Sequence, residues 1–244
     1  MNERVALITG GAKGIGRGIA LDLAAQGWQI AFCYRTSEAA AQDTARAVTE
    51  RGGQALAVRC DVSDPTAARQ LVAQVEQRWG RIDVLVNGAG PYHRINLFEE
   101  TVEGWNEMFD GNLHPIFYLA KAVAPGMKAR KAGRIITFSM ANADQMISQP
   151  DVTGHYIAKA GVLILTRTLA KLLAPYGITV NAVSPGFIDS GSAPPDELAG
   201  MTKRIPAGYI GTVDDTVAAV RYLLSDDARY VNGANIQISG AWGI

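Results

Sequence analysis

Thr9-Gly10-Gly11-Ala12-Lys13-Gly14-Ile15-Gly16 follows a short apolar run, and this arrangement suits a pyrophosphate. Gly10 permits a sharp turn, Gly14 lets the backbone approach a phosphate, and Gly16 lets a helix pack closely on a strand. The N–H groups and positive dipole end of that helix then face the anion. The next apolar run ends Phe32-Cys33-Tyr34-Arg35-Thr36-Ser37, with no acid. An acid at that point bonds the ribose 2′-hydroxyl of NAD. Its absence, with Arg35 beside Tyr34 and Lys13 on the Gly-rich turn, predicts a 2′-phosphate, hence NADP(H), because a guanidinium fork matches phosphate oxygens. Proton chemistry is offered further along by His155, Tyr156 and Lys159. A helix turns about 100° per residue. His155 and Lys159, at i,i+4, therefore share a face, and Tyr156, at i,i+3, leans toward Lys159 from the other side. An imidazolium is a competent acid near neutral pH, and a neighbouring ammonium depresses its pKa.

These groups need elements to hold them, and the chain alternates regularly. Strand-like runs lie at Val5–Thr9, Gln29–Tyr34, Ala55–Cys60, Val84–Asn87, Arg134–Phe138, Thr179–Val183 and Ile236–Ile238. Helix-length segments separate most of them: Ile15–Gln26, Glu38–Glu50, Pro65–Trp79, Val102–Lys131, Tyr156–Leu173 and Asp214–Leu224. This βαβα order predicts an α/β fold, a single Rossmann-type doubly wound parallel sheet of about seven strands with helices on both faces. Ligand then binds beyond the carboxyl ends of the strands, where strand order reverses. No linker or repeat divides residues 1–244, so one domain is expected, with a cofactor half to about 130 and a catalytic and substrate half from 131 to 244.

The bulk numbers exclude other classes. The 23 basic and 23 acidic residues cancel, so no basic surface argues for nucleic acid or an anionic membrane. Apolar residues make up 48% of the chain, enough for a large core, yet no uncharged apolar run reaches the roughly 18 residues a membrane span needs. Met1-Asn2-Glu3-Arg4 runs straight into the first strand without the apolar stretch of a signal peptide, which points to the cytoplasm. Cys33 and Cys60 lack metal-ligand spacing and read as small buried hydrophobes. His93 and His114 also lack partners at metal spacing and read as surface histidines, so no metal is expected. Pro91-Tyr92-His93 is either a border of the substrate site or a plain loop.

In its motifs the sequence resembles the short-chain dehydrogenase/reductase family over essentially its whole length, most closely the 3-oxoacyl-carrier-protein reductases. The family's TGxxxGxG pattern is matched by Thr9 to Gly16, which puts Gly10, Ala12, Lys13, Gly14, Ile15 and Gly16 at the cofactor. Asp61-Val62 matches its adenine-contacting pair, and Asn87-Gly88-Ala89-Gly90 its turn after the fourth strand, with Gly88 in place of an Asn. Asn112 matches its helix-borne Asn, and Pro185-Gly186-Phe187-Ile188 its nicotinamide-holding turn, with Ser190 close by. The segment Phe187 to Tyr209, containing Pro194 and Pro195, corresponds to a substrate lid.

The resemblance implies carbonyl reduction by a Tyr acid, a Lys that lowers its pKa and holds the nicotinamide ribose, a Ser that orients the carbonyl, and an Asn in a proton relay. Lys159-Ala160-Gly161 marks the Lys, but His155 stands at the Tyr position and Tyr156 one place late. Met140 stands at the Ser position, leaving Ser139, Asn142 or Asp144 as replacements, Asp144 by analogy with the Asp of pteridine reductases. Alternation along a strand points Ser139 away from the Met140 side. The expectation is an NADPH-dependent oxidoreductase acting on a 3-oxoacyl group, another ketone or an imine, with an atypical site of Asn112, His155, Tyr156 and Lys159. The alternative is a catalytically degenerate NADP(H)-binding subunit or sensor. The partners expected are a small-molecule or acyl-carrier substrate and further copies of the chain, as a homotetramer or homodimer through helices 102–131 and 156–173.

Overall fold

The computed structural model describes residues 4–191 and 195–244, so Pro194 of the expected lid lies outside the described residues. Seven strands form one parallel sheet: β1 (Val5–Thr9), β2 (Gln29–Tyr34), β3 (Ala55–Arg59), β4 (Val84–Asn87), β5 (Gly133–Phe138), β6 (Ile178–Pro185) and β9 (Asn235–Ile238). Their order is β3-β2-β1-β4-β5-β6-β9, so the direction of winding reverses between β1 and β4. A short parallel pair, β7 (Ile188–Asp189) and β8 (Gly211–Thr212), stands apart.

The strands read as continuous apolar runs because both faces are covered. Ala6 and Ile8 of β1 join Ile30 and Phe32 of β2 on one face, under α1 (Gly14–Ala25), α2 (Glu38–Glu50) and α8 (Val213–Leu224). Val5 and Leu7 join Leu85 and Ile135 on the other, under α3 (Pro65–Trp79) and α5 (His114–Arg130). Local chemistry sets the helix ends. Asp64 caps α3 by accepting from Thr66 N–H, with Pro65 in the first turn, and Gly80 stops it at φ 74°. Thr212 and Asp215 form a reciprocal capping box on α8.

Two sequence expectations need correction. Val102–Lys131 is not one helix: α4 (Val102–Asn112) ends and α5 begins at His114. Pro115 has no N–H to give the Gly111 carbonyl, so the ladder breaks there. The segment expected from Tyr156 starts earlier, α6 (Thr153–Leu173), so His155 and Tyr156 lie in its first turn. The remaining helix, α7 (Pro195–Thr202), falls in the expected lid segment.

Candidate active site

At the carboxyl ends of β1, β2 and β4 lies a cleft of about 660 Å³ lined by Lys13, Arg35, Asp61, Gly88, Pro91 and Glu107. It sits at the switch point, where a doubly wound sheet takes its ligand. Thr9 joins two of the turns that line it: its hydroxyl accepts both the Gly88 and Ala89 N–H at 3.0 Å, tying the Gly-rich turn to the turn after β4. The sequence reading missed this role, because it joins two turns far apart in the chain.

The Gly-rich turn is shaped for an anion. Gly14 lies at φ +52°, and a Cβ on Gly16 would collide with the Gly10 carbonyl. The start of α1 has no side-chain cap and no acid in its first turn, as is also true of α5 and α6, and it opens directly from the Gly-rich turn. That leaves the N-terminal amides of α1 to a ligand, which fits a dinucleotide pyrophosphate. Ile15 packs against the sheet core, and Ala12 is buried, with its carbonyl accepting from Thr44. Beyond Tyr34, Arg35 reaches across the cleft to Glu107 on α4, 3.8 Å away. Burial pushes the Asp61 carboxyl up, but two hydrogen bonds from Ser63 and the nearby Arg35 outweigh it and hold the group below its ordinary value. Val62 is buried beside it. Cys33 is buried as expected, but Cys60 is only half-buried, and both line the cleft. Burial raises their thiols to about 12 and about 11.

At the inner end, Asn87 and Asn112 are buried, and the Oδ1 of each has no hydrogen-bond partner among the described residues. Asn112 sits at the α4 break and donates to the Pro91 carbonyl at 2.9 Å and the Met108 carbonyl at 3.0 Å. Pro185 ends β6, and the N–H of Gly186 just after it is bonded to the Ile238 carbonyl. Ile188 leads to Ser190, whose side chain lies near Gly14. Lys159 is buried, donates from Nζ to the Phe138 carbonyl at 2.9 Å, and has its pKa lowered by burial to about 8.

His155 and Tyr156 separate clearly. His155 is buried, its ring meeting Tyr92 edge-on with centroids 5.0 Å apart. Burial, and then the Lys159 charge, lower its pKa to about 3, against a smaller opposing effect of a hydrogen bond to backbone Pro91. Pro91 has no N–H, so that bond is to its carbonyl, which Asn112 shares. The Tyr156 hydroxyl instead donates to the Asn142 carbonyl at 2.7 Å and accepts the Ile147 N–H at 3.2 Å. It pins the long loop after β5 and is thereby occupied. Tyr156→Phe should cost about 1–2 kcal/mol in chemical denaturation, because the buried Asn142 carbonyl and the part-buried Ile147 N–H lose their partner, while leaving the pH profile of turnover in place. A displaced profile would restore Tyr156 as an acid.

The Ser replacements fare similarly. Ser139 donates to the Lys159 carbonyl at 2.8 Å, and Asp144 is exposed and accepts from Gln237. Asn142 is buried at φ +64°. Met140 packs beside Tyr156. His114 is a surface residue bonded to Asp110, as expected. His93 corrects its reading: it stands between Glu100 and Glu107 and lies close enough to His155 to affect its charge. No sequence spacing signalled this, because the partners come from different elements. Among the described residues no cluster of His, Cys, Asp and Glu suits a metal, and no helix is long and apolar enough to cross a membrane.

Comparison with known proteins places this geometry. A family profile described as enoyl-(acyl carrier protein) reductase matches residues 10–241. A 3-oxoacyl-(acyl-carrier-protein) reductase of Synechocystis sp. is 35% identical over 241 residues, covering 98% of this chain and 97% of the relative. A short-chain dehydrogenase/reductase structure from Serratia marcescens superposes with TM-score 0.91 at 31% identity, covering 99% of this chain and 98% of that one. The acetoin dehydrogenase YohF of Salmonella typhimurium superposes with TM-score 0.90 at 29% identity, covering 98% and 96%.

Proposed function

Since the chain belongs to the short-chain dehydrogenase/reductase family of oxidoreductases, we propose that it is an NADPH-dependent reductase of a carbonyl or imine, working through an atypical catalytic set. The observation that carries this reading is the pairing of a cleft lined by Lys13, Arg35 and Pro91 with the buried Asn112, bonded to the Pro91 carbonyl, and the buried Lys159, whose charge reaches His155 beside Pro91. The candidate substrates are a 3-oxoacyl thioester on an acyl carrier, as the name of the Synechocystis relative suggests, another small ketone, or a C=N compound. We read the chain as one domain, cytoplasmic, and a homotetramer or homodimer. The exposed Phe117, Ile157, Ile164 and Leu172 on α5 and α6 support self-association, which light scattering reads directly.

When bound, a dinucleotide would supply hydride to the electrophilic carbon. The α1 amides would hold its pyrophosphate, and Arg35 with Lys13 the 2′-phosphate. Lys159 would hold the nicotinamide ribose and, with a carbonyl substrate, steady the alkoxide, which takes its proton from water. Asn112 fixes the Pro91 carbonyl and, through it, the His155 ring. His155 orients the substrate heteroatom. With its pKa near 3 the ring is neutral at physiological pH, a weak proton donor. An iminium, which arrives already protonated, asks least of such a group.

Arg35→Ala tests the cofactor assignment. NADPH affinity should fall by about 1–3 kcal/mol, the size of a charge-assisted contact, with NADH nearly unaffected; equal losses would sink it. A second reading, a non-catalytic NADP(H)-binding subunit, is favoured by Met140 at the Ser position and by the occupied Tyr156 hydroxyl. Turnover against a panel of ketones, oxoacyl thioesters and imines separates the two: tight NADPH binding with no turnover selects the second.

A further inference from the structure

Glu107 is shared between two groups with different tasks. One carboxylate oxygen lies 3.8 Å from Arg35 Nη1, and the other lies 3.3 Å from His93 Nε2. The other ring nitrogen of His93 is 3.9 Å from Glu100 Oε2. Glu107 lines the cofactor cleft together with Arg35 and Lys13. A phosphate taking the Arg35 guanidinium therefore arrives beside a carboxylate that already holds it. Two anions competing for one partly exposed cation repel each other, unless the carboxylate gains a cation of its own.

We infer that Glu107 is a proton-linked determinant of cofactor choice: a ribose 2′-phosphate displaces it from Arg35, and a protonated His93 then takes it up. This inference rests on the NADP(H) reading. His93 is placed for the task. Glu107 faces it from α4, Glu100 from the segment ahead of α4, and His155 from α6, with Arg94 next along its own loop. Arg35 lies beyond Glu107. Its side chain is 35% exposed, so it exchanges protons with solvent. NADH carries no 2′-phosphate and leaves the Glu107–Arg35 contact undisturbed. Linkage then requires NADPH binding, and not NADH binding, to take up a proton at His93.

Nicotinamide fluorescence titrations of NADPH and NADH at pH 6 and pH 8 test this on the wild type, Glu107→Gln and His93→Asn. In the wild type the preference for NADPH over NADH should grow roughly tenfold on acidification, a coupling of ordinary size. His93→Asn should lose that growth and show the opposite trend, because the phosphate itself gains a proton near pH 6. Glu107→Gln should bind NADPH about tenfold more tightly at pH 8, with the like-charge repulsion gone. At each pH NADH affinity should be the same in all three proteins, which also reports that the variants fold. A His93→Asn profile matching the wild type, or a Glu107→Gln protein that binds NADPH no better, overturns the inference while leaving the NADP(H) reading in place. If no form prefers NADPH at either pH, the cofactor reading falls and takes this inference with it.

Discussion

Lys159→Met should reduce turnover at least a hundredfold while leaving stability equal or higher. Its Nζ is buried and bonded to the Phe138 carbonyl, close enough to His155 for its charge to act there. Positioning and proton management at such a site contribute about 10²–10⁴-fold to rate. The stability expectation runs the other way. A buried ammonium is costly, as its pKa of about 8 reports, and an apolar side chain of similar length removes that cost. The lost bond to Phe138 offsets part of the gain. NADPH affinity should also fall, because the ribose loses a donor. Steady-state turnover, cofactor titration and chemical denaturation on one preparation check all three. Turnover above a tenth of wild type, or a clear loss of stability, would show Lys159 to be structural.

Acid should destabilise the fold through His155. Its folded pKa is near 3, against about 6.5 for the unfolded chain. Between those values the unfolded chain binds a proton that the folded chain refuses. The stability due to the neutral ring is therefore complete above pH 6.5 and is lost as pH falls toward 3. Each unit corresponds to about 1.4 kcal/mol, so a few kcal/mol are at stake, a large part of a typical folding free energy. His155→Phe, which keeps the ring packing against Tyr92, should flatten the decline between pH 6.5 and 4. Denaturant midpoints across that range check it, and parallel slopes for the two proteins would refute it. The same depressed value predicts that turnover does not fall away as pH rises through 6–7, where an imidazolium acid would titrate.

Much of the architecture was legible in the residues. Buried parallel strands need apolar side chains on both faces, so Val5–Thr9, Gln29–Tyr34 and Val84–Asn87 stand out at their observed boundaries. Helix ends were less plain. The break between α4 and α5 turns on one missing N–H at Pro115, and α6 starts at Thr153 without a side-chain cap to announce it. The Gly-rich turn was readable because its chemistry is local: glycine conformations and a helix start lie within eight residues.

The order of residues alone settled the sheet and the place of the Gly-rich turn, since both follow from nearest-neighbour patterning and from glycine's freedom near Gly14. It left two acids in contention on α6. The tertiary structure distinguished them, because a one-residue difference in helix position turns Tyr156 toward the loop carbonyl of Asn142 and His155 toward Pro91 and Tyr92. Packing likewise brought Arg35, Glu107 and His93 together from a strand end, a helix and a loop. Charges so far apart in sequence meet only when the sheet has closed around them, and no spacing rule encodes that meeting.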